Sequence, residues 1–163
     1  MISETMQQLF THLIQVEHHS AYLYLAMSAY FDRIGLLGTK RWLEAQAEEE
    51  RGHAQRLIGF LVDRDGVVKL HSLPEQPASF GTPLEAFQKV LAHEQFVTEQ
   101  YHEAHQLVTA ENDRPSLPII LAFLEEQVEE EGQALTIVDR FKIAGSNAAA
   151  ILLIDQELGR RGG

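Results

Sequence analysis

Four long apolar stripes in this chain are each interrupted near the middle by groups that can bind a cation. Read at the three- and four-residue steps of an α-helix, one stripe runs Phe10, Leu13, Glu17, Tyr24, Phe31. A second runs Leu43, Ala47, Glu50, Ala54, Leu57, Leu61, with His53 beside it. The third is Leu84, Phe87, Leu91, Glu94, Tyr101, Val108, and the fourth is Ile120, Phe123, Gln127, Glu130, Ala134, Ile137, Phe141. If helices bearing these stripes pack side by side, Glu17, Glu50, His53, Glu94, Gln127 and Glu130 meet in the interior. Uncompensated buried carboxylates each cost several kcal/mol, and at close range they repel one another. No Lys or Arg lies on the stripes, and one imidazole does not neutralise four acids, so the pattern predicts bound metal, with two divalent ions balancing the charge. Glu50 and His53 stand three apart on one helix face, and Glu-x-x-His facing carboxylates from neighbouring helices is a recurrent di-metal arrangement in bundles. The chain has no cysteine, which excludes disulfides, thiolate zinc and iron-sulfur centres. Oxygen and imidazole donors favour iron, manganese or zinc.

The elements that must position these groups read as helical nearly throughout. The pattern predicts a first helix over about 3–31, a turn at the glycines of 35–38, and a second helix over about 39–63. Residues 65–81, with Pro74 and Pro77, are too long for a tight turn and too irregular for a helix, so they predict a crossover. Thr82 as cap and Pro83 as first residue open a third helix to about 110. A short turn through Pro115 leads to a fourth over about 116–144, and Gly145-Ser146-Asn147 separates a short fifth over 148–158. The expected fold class is therefore all-α: an up-down-down-up four-helix bundle with one long crossover between helices two and three, in a single domain over 1–163. The fifth helix, with Ile151, Leu152, Leu153 and Ile154, is too apolar to lie bare and should dock on the bundle or on other subunits.

Composition narrows the partners. Hydrophobic residues at 45% and charged residues at 23% describe a chain that folds. A formal net charge of -11 opposes binding to nucleic acid and favours cations. No apolar run approaches the roughly 18 residues of a membrane span, and Met1-Ile2-Ser3-Glu4 opens no basic-then-apolar signal segment, so no membrane association and a cytoplasmic location are expected.

On these residues the chain resembles the ferritins, specifically the bacterial non-haem type, over essentially its whole length. The resemblance implies that Glu17 is a terminal ligand of a first iron, that Glu50 bridges, and that His53 completes the first site. Glu50, Glu94 and Glu130 would hold the second iron. Gln127 matches a position that hydrogen-bonds near the site, and Tyr24 matches the tyrosine beside it, as a redox group or as a packed core residue with a satisfied hydroxyl. Glu49, Glu126 and Glu129, with Glu130, match a third iron site on the cavity side; the competing reading is a solvated acidic face. Bacterioferritins carry a second Glu-x-x-His on helix four and a haem-ligating methionine between the helix-two ligands, where this chain has Gln127-Val128-Glu129-Glu130 and Arg51-Gly52, so no haem is expected. Rubrerythrins append a cysteine-rich domain that is absent here. His18, His19, His93, His102 and His105 lack carboxylate partners on a stripe and read as surface or packing residues, as does Trp42 for the core or an interface. Glu111 and Asp113 either line an ion pore or simply favour a helix start. The function implied is a ferroxidase: Fe(II) is oxidised by dioxygen or hydrogen peroxide at a dinuclear centre and stored as ferric mineral in a homo-oligomeric shell of twenty-four subunits, fifth helices clustered on the fourfold axes. The alternatives are a storage cage without catalysis, which the complete ligand set argues against, and a di-iron peroxidase or oxidase acting on an organic substrate.

Overall fold

The structure, a computed structural model, describes residues 1–160; the last three residues of the expected 1–163 domain lie outside the described ones. Helix α1, Glu4–Arg33, starts where Ser3 accepts a hydrogen bond from the Met6 amide at 3.2 Å, satisfying one orphan donor of the first turn. Gly35, at φ 84°, reverses the chain in the left-handed region that a side chain disfavours. Helix α2, Leu37–Asp63, begins two residues earlier than the glycine pattern suggests, so Gly38 belongs to the helix and not to the turn. The cause is tertiary: a Cβ at Gly38 would stand 1.7 Å from the Asp155 carbonyl oxygen, so this glycine permits a close approach of two helices.

The crossover from 64 to 82 lies along α1. Arg64 C=O accepts from Ile2 N at 3.1 Å, Gln7 Oε1 accepts from Val67 N at 3.0 Å, and Gly81 C=O accepts from the Tyr30 hydroxyl at 2.6 Å. Phe80 is buried at its end against Tyr30. Helix α3, Pro83–Ala110, opens on Thr82 as the expected cap, in a capping box that Glu85 completes. A 3-10 turn, Arg114–Ser116, precedes α4, Leu117–Ala144, and Asn147 caps α5, Ala148–Leu158. Asp113 is not a free pore acid: Arg64 grips both its oxygens, at 2.6 and 2.9 Å, and ties the start of α4 to the end of α2.

Helices α1 and α2 form one hairpin and α3 and α4 the other. Their apolar faces build two separate clusters, one around Tyr24, Phe31, Leu43, Phe87 and Phe141, the other around Phe10, Leu13, Leu57, Tyr101 and Phe123. Between these clusters lies a buried polar layer. Each buried Phe or Leu contributes roughly 1.5–3 kcal/mol, so apolar packing on both sides holds together a layer that charge repulsion would push apart. Among the described residues no helix is long and apolar enough to cross a membrane.

Candidate metal centre

Each long helix supplies the polar layer at its midpoint, where its stripe is flanked by core residues on either side. Glu17 from α1, Glu50 from α2, Glu94 from α3, and Gln127 and Glu130 from α4 are all at most 5% exposed. His53, one turn after Glu50, is partly buried at the edge of the layer. Its Nδ1 lies 2.9 Å from Glu50 Oε2 and 3.7 Å from Glu17 Oε2. One ligand atom from each of Glu17, Glu50 and His53 falls within 4.8 Å of the others, which is the spacing a single ion can span. Glu17 Oε2 is buried with no hydrogen-bond partner, an orphaned acceptor whose position beside an imidazole and a second carboxylate fits a cation.

The other half of the layer is knit by amides. Gln46, fully buried one turn before Glu50, donates through Nε2 to Glu130 Oε2 at 2.7 Å and to Glu50 Oε1 at 3.2 Å. Gln127 donates to Glu94 Oε2 at 3.1 Å and to the Glu94 carbonyl at 3.2 Å, which leaves it a holder of Glu94. Two tyrosines complete the shell: the Tyr24 hydroxyl donates to Glu94 Oε1, and the Tyr101 hydroxyl donates to Glu17 Oε1. Stripe reading alone placed Tyr101 among the apolar residues and passed over Gln46. The available signals were a polar residue four before Glu50 on its own face, and a Tyr101 spaced from Glu94 as Tyr24 is from Glu17.

Burial drives the electrostatics. It pushes the Glu94 carboxyl up to about 8, with the Glu50 charge adding to the effect, and it pushes Glu50 up to about 7, Glu17 adding and His53 opposing. Burial would lower His53, but the adjoining Glu17 and Glu50 outweigh it and push the imidazole up to about 11. Burial also lifts both tyrosines well above the ordinary phenol range, with Glu94 reinforcing it for Tyr24 and Glu17 for Tyr101. Without a cation, then, the layer holds on to protons. A cation offers the same compensation with more charge.

The residues expected to form a third site are placed differently. Glu49 and Glu129 are exposed, and Glu129 borders a hollow with Trp42, Gly132 and Glu157. Glu126 is half-buried; its Oε1 accepts from Arg56 at 2.9 Å, while its Oε2 lies 3.5 Å from His53 Nε2 without a hydrogen bond. Among the described residues these acids are not gathered into a metal-sized group as Glu17, Glu50 and His53 are. Of the remaining histidines, His93 meets Ser20 Oγ at 2.8 Å and packs edge-on against His19 and Tyr24; burial first, then His19, pushes it down to about 4, in keeping with a packing role.

Comparison with known proteins agrees with the helical fold. The family model for a ferritin-like domain matches residues 7–144. A bacterial non-heme ferritin of Bacteroides fragilis (strain 638R) is 39% identical over 161 residues, covering 99% of this chain and 100% of the relative. Another, from Staphylococcus aureus (strain USA300), is 29% identical over 161 residues, covering 99% and 97%. Among solved structures, an open pore ferritin from the hyperthermophilic archaeon Archaeoglobus fulgidus superposes with a TM-score of 0.97 at 40% identity, over 99% of both chains. A closed form of the Archaeoglobus fulgidus ferritin made by site-directed mutagenesis gives 0.97 at 41%, over 99% of this chain and 98% of that one.

Proposed function

This chain belongs to the ferritin family, and from that premise we propose that it is a ferroxidase, oxidising Fe(II) to Fe(III) at a paired site and passing the product to a ferric mineral inside a shell of twenty-four subunits. The observation that carries this reading is the buried trio Glu17, Glu50 and His53 with its orphaned carboxylate oxygen. Iron is the substrate here, and the chain's part is to hold two ions. Glu17, Glu50 and His53 take the first, and Glu50, Glu94 and Glu130 take the second, with Glu50 shared. Hard carboxylate oxygens favour Fe(III) over Fe(II), which lowers the cost of giving up an electron from each ion to dioxygen or hydrogen peroxide. Gln127 and Tyr24 hold Glu94, and Gln46 holds Glu50 and Glu130, so the ligands keep their places between turnovers. A set of carboxylates and one imidazole binds iron less permanently than thiolates would, which suits a site that must release its product.

A third ion is assigned, from the family resemblance alone, to Glu49, Glu126, Glu129 and Glu130; binding there requires the Arg56–Glu126 ion pair to open. On the same reading the chain works in the cytoplasm and without haem. Replacing Glu50 with Ala, or His53 with Ala, is expected to abolish rapid Fe(II) oxidation in stopped-flow absorbance while particle mass stays that of the parent protein. Unchanged kinetics in either variant contradict the assignment.

A further inference from the structure

Arg56 follows His53 by one helical turn on α2, and Glu126 follows Phe123 by one turn on α4. Contacts join the two pairs across the seam between these helices. The Phe123 ring meets His53 edge-on with centroids 5.2 Å apart, and the Arg56 guanidinium lies over the same ring at 4.8 Å. Arg56 Nη1 also donates to Glu126 Oε1 at 2.9 Å. The other oxygen, Glu126 Oε2, is buried without a hydrogen bond, 3.5 Å from His53 Nε2. Among the described residues, Glu126 Oε2 and Glu17 Oε2 are the buried side-chain atoms left orphaned in this way, and they face opposite nitrogens of one imidazole. Glu17 Oε2 lies 3.7 Å from Nδ1, and Glu126 Oε2 faces Nε2. A buried acceptor without a partner is costly, so two of them flanking one ring call for a common explanation.

We propose that Glu126, held in place by Arg56, is the positioning residue of His53: it accepts a hydrogen bond from Nε2 while Nδ1 is given to the first ion. The inference rests on the paired-site reading above. Nδ1 is the nitrogen turned toward Glu50, 2.9 Å from its Oε2, and so is the one an ion beside Glu17 and Glu50 takes. A neutral imidazole keeps one proton, and with Nδ1 bound to metal that proton sits on Nε2. The acceptor facing it is Glu126 Oε2, a few tenths of an ångström beyond hydrogen-bond length. Loading the site therefore satisfies both orphaned oxygens, Glu17 Oε2 through the ion and Glu126 Oε2 through the imidazole. A carboxylate in this place fixes the ring and makes it a stronger ligand. Arg56 fixes the carboxylate in turn, with its own direction set by the Phe123 face. While Arg56 and His53 occupy the two oxygens of Glu126, neither is open to a third ion, so this role is separate from that one.

The test is Zn(II) binding to the assembled, metal-free protein, read by isothermal titration and, at one Zn(II) per subunit, by imidazole scattering in the zinc X-ray absorption spectrum. His53→Ala supplies the baseline without the imidazole. Glu126→Ala is expected to weaken the imidazole-held ion about 10- to 100-fold and to lower the imidazole scattering. Glu126→Gln keeps an acceptor oxygen and is expected to restore most of that loss. Arg56→Met leaves every carboxylate in place and frees Glu126; it is expected to weaken the same ion severalfold, and it carries the test should Glu126→Ala fail to assemble. In crystals loaded with Zn(II), Nε2 is expected to close on Glu126 Oε2 to about 2.7–3.2 Å. Parent-like affinity in Glu126→Ala or in Arg56→Met overturns the proposal, and so does a zinc ion found between Nε2 and Glu126. A parent protein with the affinity and scattering of His53→Ala removes the paired-site reading itself.

Discussion

At the scale of the residue, the decisive quantity is where the protons of the polar layer go. Glu50 and Glu94, raised to about 7 and about 8, are neutral or nearly so in mildly acidic solution, and a divalent ion must displace their protons to bind. Zn(II), which cannot be oxidised, is therefore expected to bind more tightly as pH rises from 6 to 8 and to release protons on binding. Isothermal titration in buffers of different ionisation enthalpy measures both effects; a pH-independent affinity without proton release would contradict the raised carboxyls. The same shifts set the stability of the metal-free protein. A carboxyl whose folded value lies above its unfolded one stabilises the fold fully at low pH, and that contribution is lost as pH rises through the folded value. Metal-free protein should thus melt at progressively lower temperature across the window from the ordinary carboxylate range to about 8, and Zn(II) should remove the trend.

At the scale of the element, α2 depends on α5 for its beginning. Leu36, the cap residue of α2, offers no side-chain hydrogen bond. Asp155 of α5 supplies it from outside, accepting from the Thr39 amide at 2.7 Å, the Thr39 hydroxyl at 2.8 Å and the Gly38 amide at 3.1 Å. A carboxylate at a helix N-terminus also meets the positive end of the helix dipole. Asp155→Ala is expected to cost about 0.5–2 kcal/mol, the range of a lost cap, read as a lower melting temperature by circular dichroism. Hydrogen exchange should quicken at 37–40 and in α5 but not in α3; uniform change across the chain would argue against a local cap. This contact matters to the centre because α2 carries both Glu50 and His53.

At the scale of the whole molecule, one end of the chain leaves apolar surface in water. Ile143, 87% exposed, and Leu153, 58% exposed, line a hollow between α4 and α5 together with Ile154 and Ala150, and Leu152 of α5 is 53% exposed. A patch of this kind asks to be covered by another subunit. Leu153→Asp is expected to shift the particle toward smaller species in sedimentation velocity, with the helix content and the Zn(II) affinity of each subunit kept. A particle of unaltered mass would remove α5 from the assembly surface.

Much of this molecule is legible in its sequence. The interior placement of Glu17, Glu50, Glu94, Gln127 and Glu130 followed from helical periodicity, because a stripe that is apolar on both sides of a carboxylate leaves that carboxylate nowhere else to point. Helix limits followed in part from local chemistry: Thr82 caps α3 and Pro83 opens it as expected, since a cap bonds within three residues of itself, while the structure adds that Ser3 and Asn147 cap α1 and α5 near the limits expected for them. Tertiary structure alone decided which oxygen meets which donor. Asp155 caps a helix whose bonded residue lies 116 positions away, Arg64 takes Asp113, Arg56 takes Glu126, and Gln46 and Tyr101 turn out to hold Glu50, Glu130 and Glu17. Periodicity states which face of a helix a side chain occupies. It carries no information on the register between helices, and that register, set by packing along the whole hairpin, is what brings one hydroxyl to one carboxylate.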